Sequence, residues 1–130
     1  MSYSTDNDLD LEFGAANITR WADLDNDGNS TKIAARKAWA HARAQTEIDS
    51  LLRESRYRLP LADANGDTPD LIAQVAAMIA GVMLYEGRGT RSIDGQQGRP
   101  VHPYTAKSFE ARRILDEIRT GTRKLDAIGG

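Results

Sequence analysis

Residues 68–85 read TPDLIAQVAAMIAGVMLY, and this segment gives the strongest indication of the fold. Thr68 supplies a capping hydroxyl, Pro69 suits a first helical position because it needs no amide hydrogen, and Asp70 places a carboxylate at the positive helix end. No charged residue occurs from residue 71 to residue 85. A helix that is apolar all round is buried, so the sequence predicts the central helix of a domain. A membrane span would need about 20 apolar residues, which is longer than this stretch.

Small residues on this helix predict close contacts with its neighbours. Ala73, Ala77 and Gly81 recur at every fourth position, with Ala76 and Ala80 beside them. Small side chains let a second helix approach closely, so we interpret these positions as packing surfaces and not as catalytic groups.

A second long helix is predicted from about residue 32 to residue 55. Its principal apolar face carries Ile33, Ala34, Ala38, Ala44, Ile48, Leu51 and Leu52. Trp39 falls almost opposite that face, beside Arg36 and Arg43. Two explanations are open: the N-terminal segment folds over Trp39 with a cation-π contact to an arginine, or Trp39 belongs to a face used between subunits. His41 points inward, where we expect a core-edge histidine with one hydrogen bond; no second His or Cys lies at zinc-ligand spacing.

Two shorter helices complete the predicted fold. Thr5 and Asp8 form a capping-box pattern before an N-terminal helix that Gly14 ends. A last helix runs from about residue 104 to residue 120 and stops at Gly121. The fold class is therefore mainly α: a single domain over residues 1–130, built as a small bundle of three principal helices plus a short N-terminal helix.

An acidic turn at residues 23–28 begins like a calcium-binding loop. Asp23, Asp25 and Asp27 occupy its first, third and fifth positions and Gly28 the sixth, but the twelfth position is Ala34 where a closing Glu is needed. One interpretation is an Asx-rich surface turn with Ser30 or Thr31 capping the next helix. The other is a weak Ca²⁺ site, and we expect no other cofactor.

Two segments carry few residues that could build a core. Residues 86–103 form a long Gly/Arg-rich loop that contains Arg88, Arg91 and Arg99. Such a loop could order on a partner protein or lie against phosphate backbone. The tail at residues 122–130 contains Leu125 and Ile128 among charged residues, and we expect it to be flexible until a partner docks it.

The amino-acid composition excludes several classes of function. The 130 residues carry a net charge of -2 and no cysteine, which gives no overall basic footprint, no disulfide and no cysteine nucleophile. The N-terminus lacks a signal-peptide pattern, so we expect synthesis in the cytosol. With two histidines and no serine in a matched His and Asp pattern, we expect no enzymatic activity.

The order of these elements resembles the head-to-tail connector family of Mu-like phages and prophages. The resemblance rests on Thr5 with Asp8-Leu9, Phe13-Gly14, the turn at 23–28, Ile48-Asp49 with Leu52, Arg56-Tyr57 with Leu59-Pro60-Leu61, Pro69-Asp70-Leu71, and a last helix ending at Gly121. It implies a structural virion protein, made in the bacterial host cytoplasm, whose copies form a twelvefold ring under the portal at the capsid vertex. Genomic DNA would pass through the ring without being read, and a downstream neck or tail-completion protein would dock below.

Within that family, candidate contacts between subunits or with the portal are Trp39, Arg36, Arg43, Arg88, Arg91, Arg99, Leu125 and Ile128. No membrane contact is expected. Two alternatives are a small calcium-stabilised helical binding module and a small nucleic-acid-binding regulator that uses the three loop arginines.

Overall fold

The computed structural model describes residues 2–87, 104–125 and 127 of the chain. Within these residues the chain forms five helices and no strand, which confirms the mainly α fold: α1 (Asp6–Phe13), α2 (Ala15–Ala22), α3 (Ser30–Leu52), α4 (Asp70–Gly87) and α5 (Thr105–Thr120). The predicted loop arginines Arg88, Arg91 and Arg99 lie outside the described residues, as does Ile128.

Helix α4 is the centre of the bundle, as its sequence predicts. Ten of its 18 residues are buried, and α1, α2, α3 and α5 all pack against it. By length and composition alone, α4 is apolar enough to cross a membrane, with a mean hydropathy of 1.3. Its burial by four other helices accounts for that hydropathy as the property of a core helix.

The small residues of α4 do allow a close approach, and the neighbour at Gly81 is the ring of Phe13. A Cβ atom at Gly81 would lie 2.0 Å from Cε2 of Phe13. The ring belongs to an edge-to-face aromatic cluster with Trp21, Tyr85 and Tyr104, whose centroids are 5.0 to 5.6 Å apart. This cluster fixes α1, α2 and the start of α5 around the C-terminal half of α4.

The N-terminal region holds two helices where the sequence predicted one. The capping box of Thr5 and Asp8 is present, and Gly14 ends α1 as expected. Gly14 has φ +92° and at the same time begins α2, because the chain turns there and continues helically. The buried residues of α2 are Ile18, Trp21 and Ala22, whose spacing is helical.

Helix α3 runs from Ser30 to Leu52, so it begins two residues earlier and ends three residues earlier than predicted. Its N-cap is Asn29, whose side chain accepts a hydrogen bond from the N–H of Lys32. The expected caps, Ser30 and Thr31, are not used in this way. The reason is that Asn29 already has extended backbone and a short amide that reaches the first turn.

The predicted docking role of Leu125 in a loose tail needs correction. Leu125 is 9% exposed and belongs to the hydrophobic core. Its N–H donates to the hydroxyl of Tyr57 at 2.8 Å. The chain after α5 is therefore anchored at Leu125, whose side chain lies inside its own domain.

Candidate functional site: an exposed tryptophan groove

An open groove surrounds Trp39, at the junction of α2, the acidic turn and the first half of α3. Its volume is about 370 Å³, and it is lined by Ala22, Asp23, Leu24, Asp25, Lys32, Ala35, Arg36 and Trp39. Trp39 is 40% exposed and Leu24 is 44% exposed. Exposed large apolar side chains that share one concave surface mark a site of interaction. The structure thus brings the predicted contact residue Trp39 together with part of the acidic turn.

Arg36 forms one wall of this groove. Its guanidinium carbon lies 4.0 Å from the centroid of the Trp39 ring, which confirms the predicted cation-π contact. A Cβ atom added at Gly87 would lie 2.3 Å from Nη2 of Arg36. The guanidinium is therefore held between Trp39 and the last residue of α4, where the carbonyl end of the helix dipole favours a cation.

The N-terminal region covers Trp39 only in part. The end of α2 and the residues that follow it line the groove, as the first of the two explanations predicts. The indole nevertheless keeps 40% of its surface exposed, whereas Trp21 is buried at 2%. The use of the remaining surface between subunits stays a prediction.

The acidic turn is ordered by its own backbone. The carboxylate of Asp23 accepts the N–H groups of Asp27 at 3.2 Å and Gly28 at 3.0 Å. Asp27 accepts the N–H of Asn29 at 3.0 Å. Asn26 has φ 54° and Gly28 has φ 66°, as the Asx-turn interpretation predicts.

Lys32 pairs with both outer carboxylates of the turn. Its Nζ lies 2.9 Å from Asp25 and 3.2 Å from Asp27. The N–H of Asn29 and then Lys32 hold the pKa of Asp27 below its usual value, and the two carboxylates raise the pKa of Lys32. Among the described residues, no group of three or more His, Asp or Glu side chains is placed to hold a metal ion. The structure does not gather Asp23, Asp25 and Asp27 into a ligand set, and the weak Ca²⁺ site stays an alternative that a calcium titration tests.

A polar cluster that sequence reasoning missed fixes the N-terminus on α3. Nδ1 of His41 lies 2.6 Å from the hydroxyl of Ser4, and Nε2 lies 2.9 Å from Asp6. His41 therefore has two partners where one was expected, and a serine, a histidine and an aspartate do lie in series. Ser4 is only 2% exposed, so its hydroxyl cannot reach a substrate in this conformation. The cluster joins the segment before α1 to the middle of α3.

Tyr3 makes a second anchor beside this cluster. Its hydroxyl donates to Asp49 and accepts the N–H of Leu61 at 2.9 Å. Burial of the ring, followed by the hydrogen bond to Asp49, raises the pKa of Tyr3 well above its ordinary value. The neutral phenol is the form that holds residue 61 against α3.

A second groove lies between α3 and α5 and has a volume of about 360 Å³. Its exposed apolar residue is Leu51, at 39%. Arg112 pairs with Glu47 at 3.0 Å, and Arg119 pairs with Asp116. The charged groups around this groove are thus paired within the chain, which makes it a suitable control groove for variants of the Trp39 groove.

Comparison with known proteins gives one match that covers nearly the whole chain. A family model described as Bacteriophage Mu, Gp36 matches residues 3–128. A search among curated proteins found no match.

Proposed function

Because this chain belongs to the Bacteriophage Mu Gp36 family, we propose that it is a non-enzymatic virion protein that connects head to tail. Copies of the chain form a ring under the portal at the capsid vertex. The portal binds above, and a downstream neck or tail-completion protein binds below. DNA passes through the ring, which needs no base-reading groups.

The observation that carries this proposal is the exposed aromatic groove, in which two large apolar side chains share one concave surface with an arginine. Trp39 and Leu24 keep 40% and 44% of their surfaces exposed, although the same chain buries its other tryptophan completely in the core. Aromatic residues with an adjacent arginine are the residue types that dominate binding energy at protein interfaces. A ring subunit needs such a surface because each copy must contact the next one.

The anchoring of the N-terminal segment supports a role as a rigid building block. Tyr3 and Ser4 hold the start of the chain on α3 through hydrogen bonds to Asp49 and His41, and Tyr3 also binds the N–H of Leu61. A domain whose segments are already packed loses little conformational entropy when it assembles. We further propose that the segment with Arg88, Arg91 and Arg99, or the tail with Ile128, contacts the portal.

The experiment compares two alanine variants of α3 in the phage or prophage that carries this chain. Trp39→Ala removes the exposed indole, and Leu51→Ala removes a side chain of similar exposure, 39%, from the control groove. We expect Trp39→Ala to yield separate filled heads and free tails in electron micrographs, and Leu51→Ala to yield joined particles.

Both purified variants should keep their helical circular dichroism, since neither side chain is buried. Normal joining of heads and tails with folded Trp39→Ala protein would contradict the proposed use of this groove.

A further inference from the structure

Two charged side chains in the first three helices have no partner among the described residues. Within the described residues 2–52, every Asp, Glu, Lys and Arg side chain has a hydrogen bond, an ion pair or a ring contact, except Asp10 and Arg43. Each of the two lies beside an exposed apolar residue. Leu11 follows Asp10 and is 77% exposed, and Trp39 precedes Arg43 by one helical turn and is 40% exposed.

These residues form two surfaces of opposite chemistry. The outer face of α1 carries Asn7, Asp10 and Leu11 at helical spacing, which combines a carboxylate with an aliphatic side chain. The outer face of α3 carries Trp39 and Arg43, whose spacing also places them side by side. One surface offers an acid and a projecting leucine, and the other offers a base and an aromatic groove.

Arg43 lies one helical turn beyond Trp39, next to the groove, and favours an acidic group of a binding partner at that side of the indole. Arg36 lies against Trp39 and has a ring contact, and no carboxylate of the described residues pairs with it. At the opposite end, Asp23 is satisfied by backbone N–H groups and Asp25 by Lys32. The unpaired charge that faces solvent next to the indole is therefore positive.

We propose that these surfaces are the two halves of one interface between copies of this chain. Leu11 of one copy enters the groove of the next copy between Trp39 and Leu24, and Asp10 pairs with Arg43. Two different surfaces that bind each other head to tail generate a ring when the rotation closes. This inference rests on the proposed ring, because it names the surfaces through which the ring subunits would meet.

Crosslinking in purified particles tests the contact directly, since the natural chain has no cysteine. Asp10→Cys and Arg43→Cys are introduced in separate chains that are expressed together, and a short bis-maleimide joins thiols that lie close. A disulfide would need Cα atoms within about 7 Å, and an aspartate–arginine pair holds them further apart. We expect a covalent dimer of the two chains, and a ladder of larger species when one chain carries both substitutions. Glu54→Cys in place of Asp10→Cys is the control and should give no dimer.

A charge exchange provides the second test. Asp10→Arg or Arg43→Asp alone places like charges together, and we expect each to weaken the contact about a hundredfold and to reduce incorporation of the chain into particles. The two substitutions combined in one chain should restore incorporation. Arg53→Asp and Glu54→Arg reverse exposed charges at the end of α3 and should change nothing.

The outcomes separate this inference from the proposed function. If particles contain the chain but position 43 crosslinks only to the portal or neck protein, the interface between copies is refuted while the connector role stands. If the combined charge exchange incorporates no better than the single variants, the pairing of Asp10 with Arg43 is refuted. If the natural chain is missing from finished particles, the connector role itself fails.

Discussion

Gly81→Ala should destabilise this protein, although the same substitution in an exposed helix would stabilise it. Alanine is favoured over glycine in a helix by about 1 kcal/mol. Against this gain, the new methyl group would lie 2.0, 2.4 and 2.6 Å from three ring atoms of Phe13. The ring cannot swing away freely, because it also packs edge-to-face on Trp21 and Tyr104.

The size of the destabilisation by Gly81→Ala follows from these two opposing effects. Inserting a methyl group into a well-packed core costs about 1–3 kcal/mol, and contacts this short place the cost near the upper end. Subtracting the helix propensity leaves a net loss of about 2 kcal/mol in the free energy of unfolding. Urea unfolding followed by circular dichroism measures it. Ala38→Gly calibrates the propensity at about 1 kcal/mol, because Ala38 is exposed in the structure although the sequence placed it on the apolar face of α3.

In the Phe13→Ala background, Gly81→Ala should stabilise the protein instead of destabilising it. With the ring removed, the methyl group at position 81 meets open space, so Gly81→Ala should raise the free energy of unfolding by about 1 kcal/mol. Phe13→Ala alone should cost about 3–5 kcal/mol. A stabilising effect of Gly81→Ala in both backgrounds, or a loss of equal size in both, would refute the argument that the Phe13 ring fixes this position.

Three further predictions concern the N-terminal anchors and the acidic turn. Tyr3→Phe leaves the N–H of Leu61 unpaired and should cost about 1–3 kcal/mol in the free energy of unfolding. Because the pKa of Tyr3 is raised on folding, the natural protein should lose stability above about pH 10. Tyr3→Phe should lose less stability over the same range, and melting temperatures across about pH 8 to 12 measure the difference. Ser4→Ala leaves Nδ1 of His41 without its partner and should cost about 1–3 kcal/mol in urea unfolding, with faster hydrogen exchange at the start of α1; unchanged exchange would contradict the anchor. Millimolar Ca²⁺ should leave the melting temperature unchanged because Lys32 already pairs with Asp27; an increase that Asp27→Ala abolishes would establish the calcium-stabilised alternative.

Local patterns were sufficient to predict most of the helices. The uncharged run of α4 predicts burial, and its glycine predicts the close approach that Phe13 makes. Helix α2 was missed because Gly14 was interpreted only as the end of a helix, although a glycine with positive φ can join two helices. The spacing of Ile18, Trp21 and Ala22 was the signal that would have revealed α2.

The groove could be predicted only in part. The position of Trp39 opposite the apolar face of α3 follows from helical periodicity, and so does the contact with Arg36. Leu24 became part of the same surface through the turn after α2, which local pattern does not determine. The bonds of His41 to Ser4 and Asp6, and the packing of Leu125 on Tyr57, join residues 35 to 68 positions apart. Such contacts depend on how the helices pack, and sequence periodicity does not determine which helices pack together.

The copy number of this chain in purified phage particles tests the connector proposal most directly. Particles would be induced and purified intact, and quantitative mass spectrometry would compare peptides of this chain with peptides of the major capsid protein. The proposal predicts one ring per particle, or about twelve copies. Absence of the chain from finished, infectious particles would contradict the proposal.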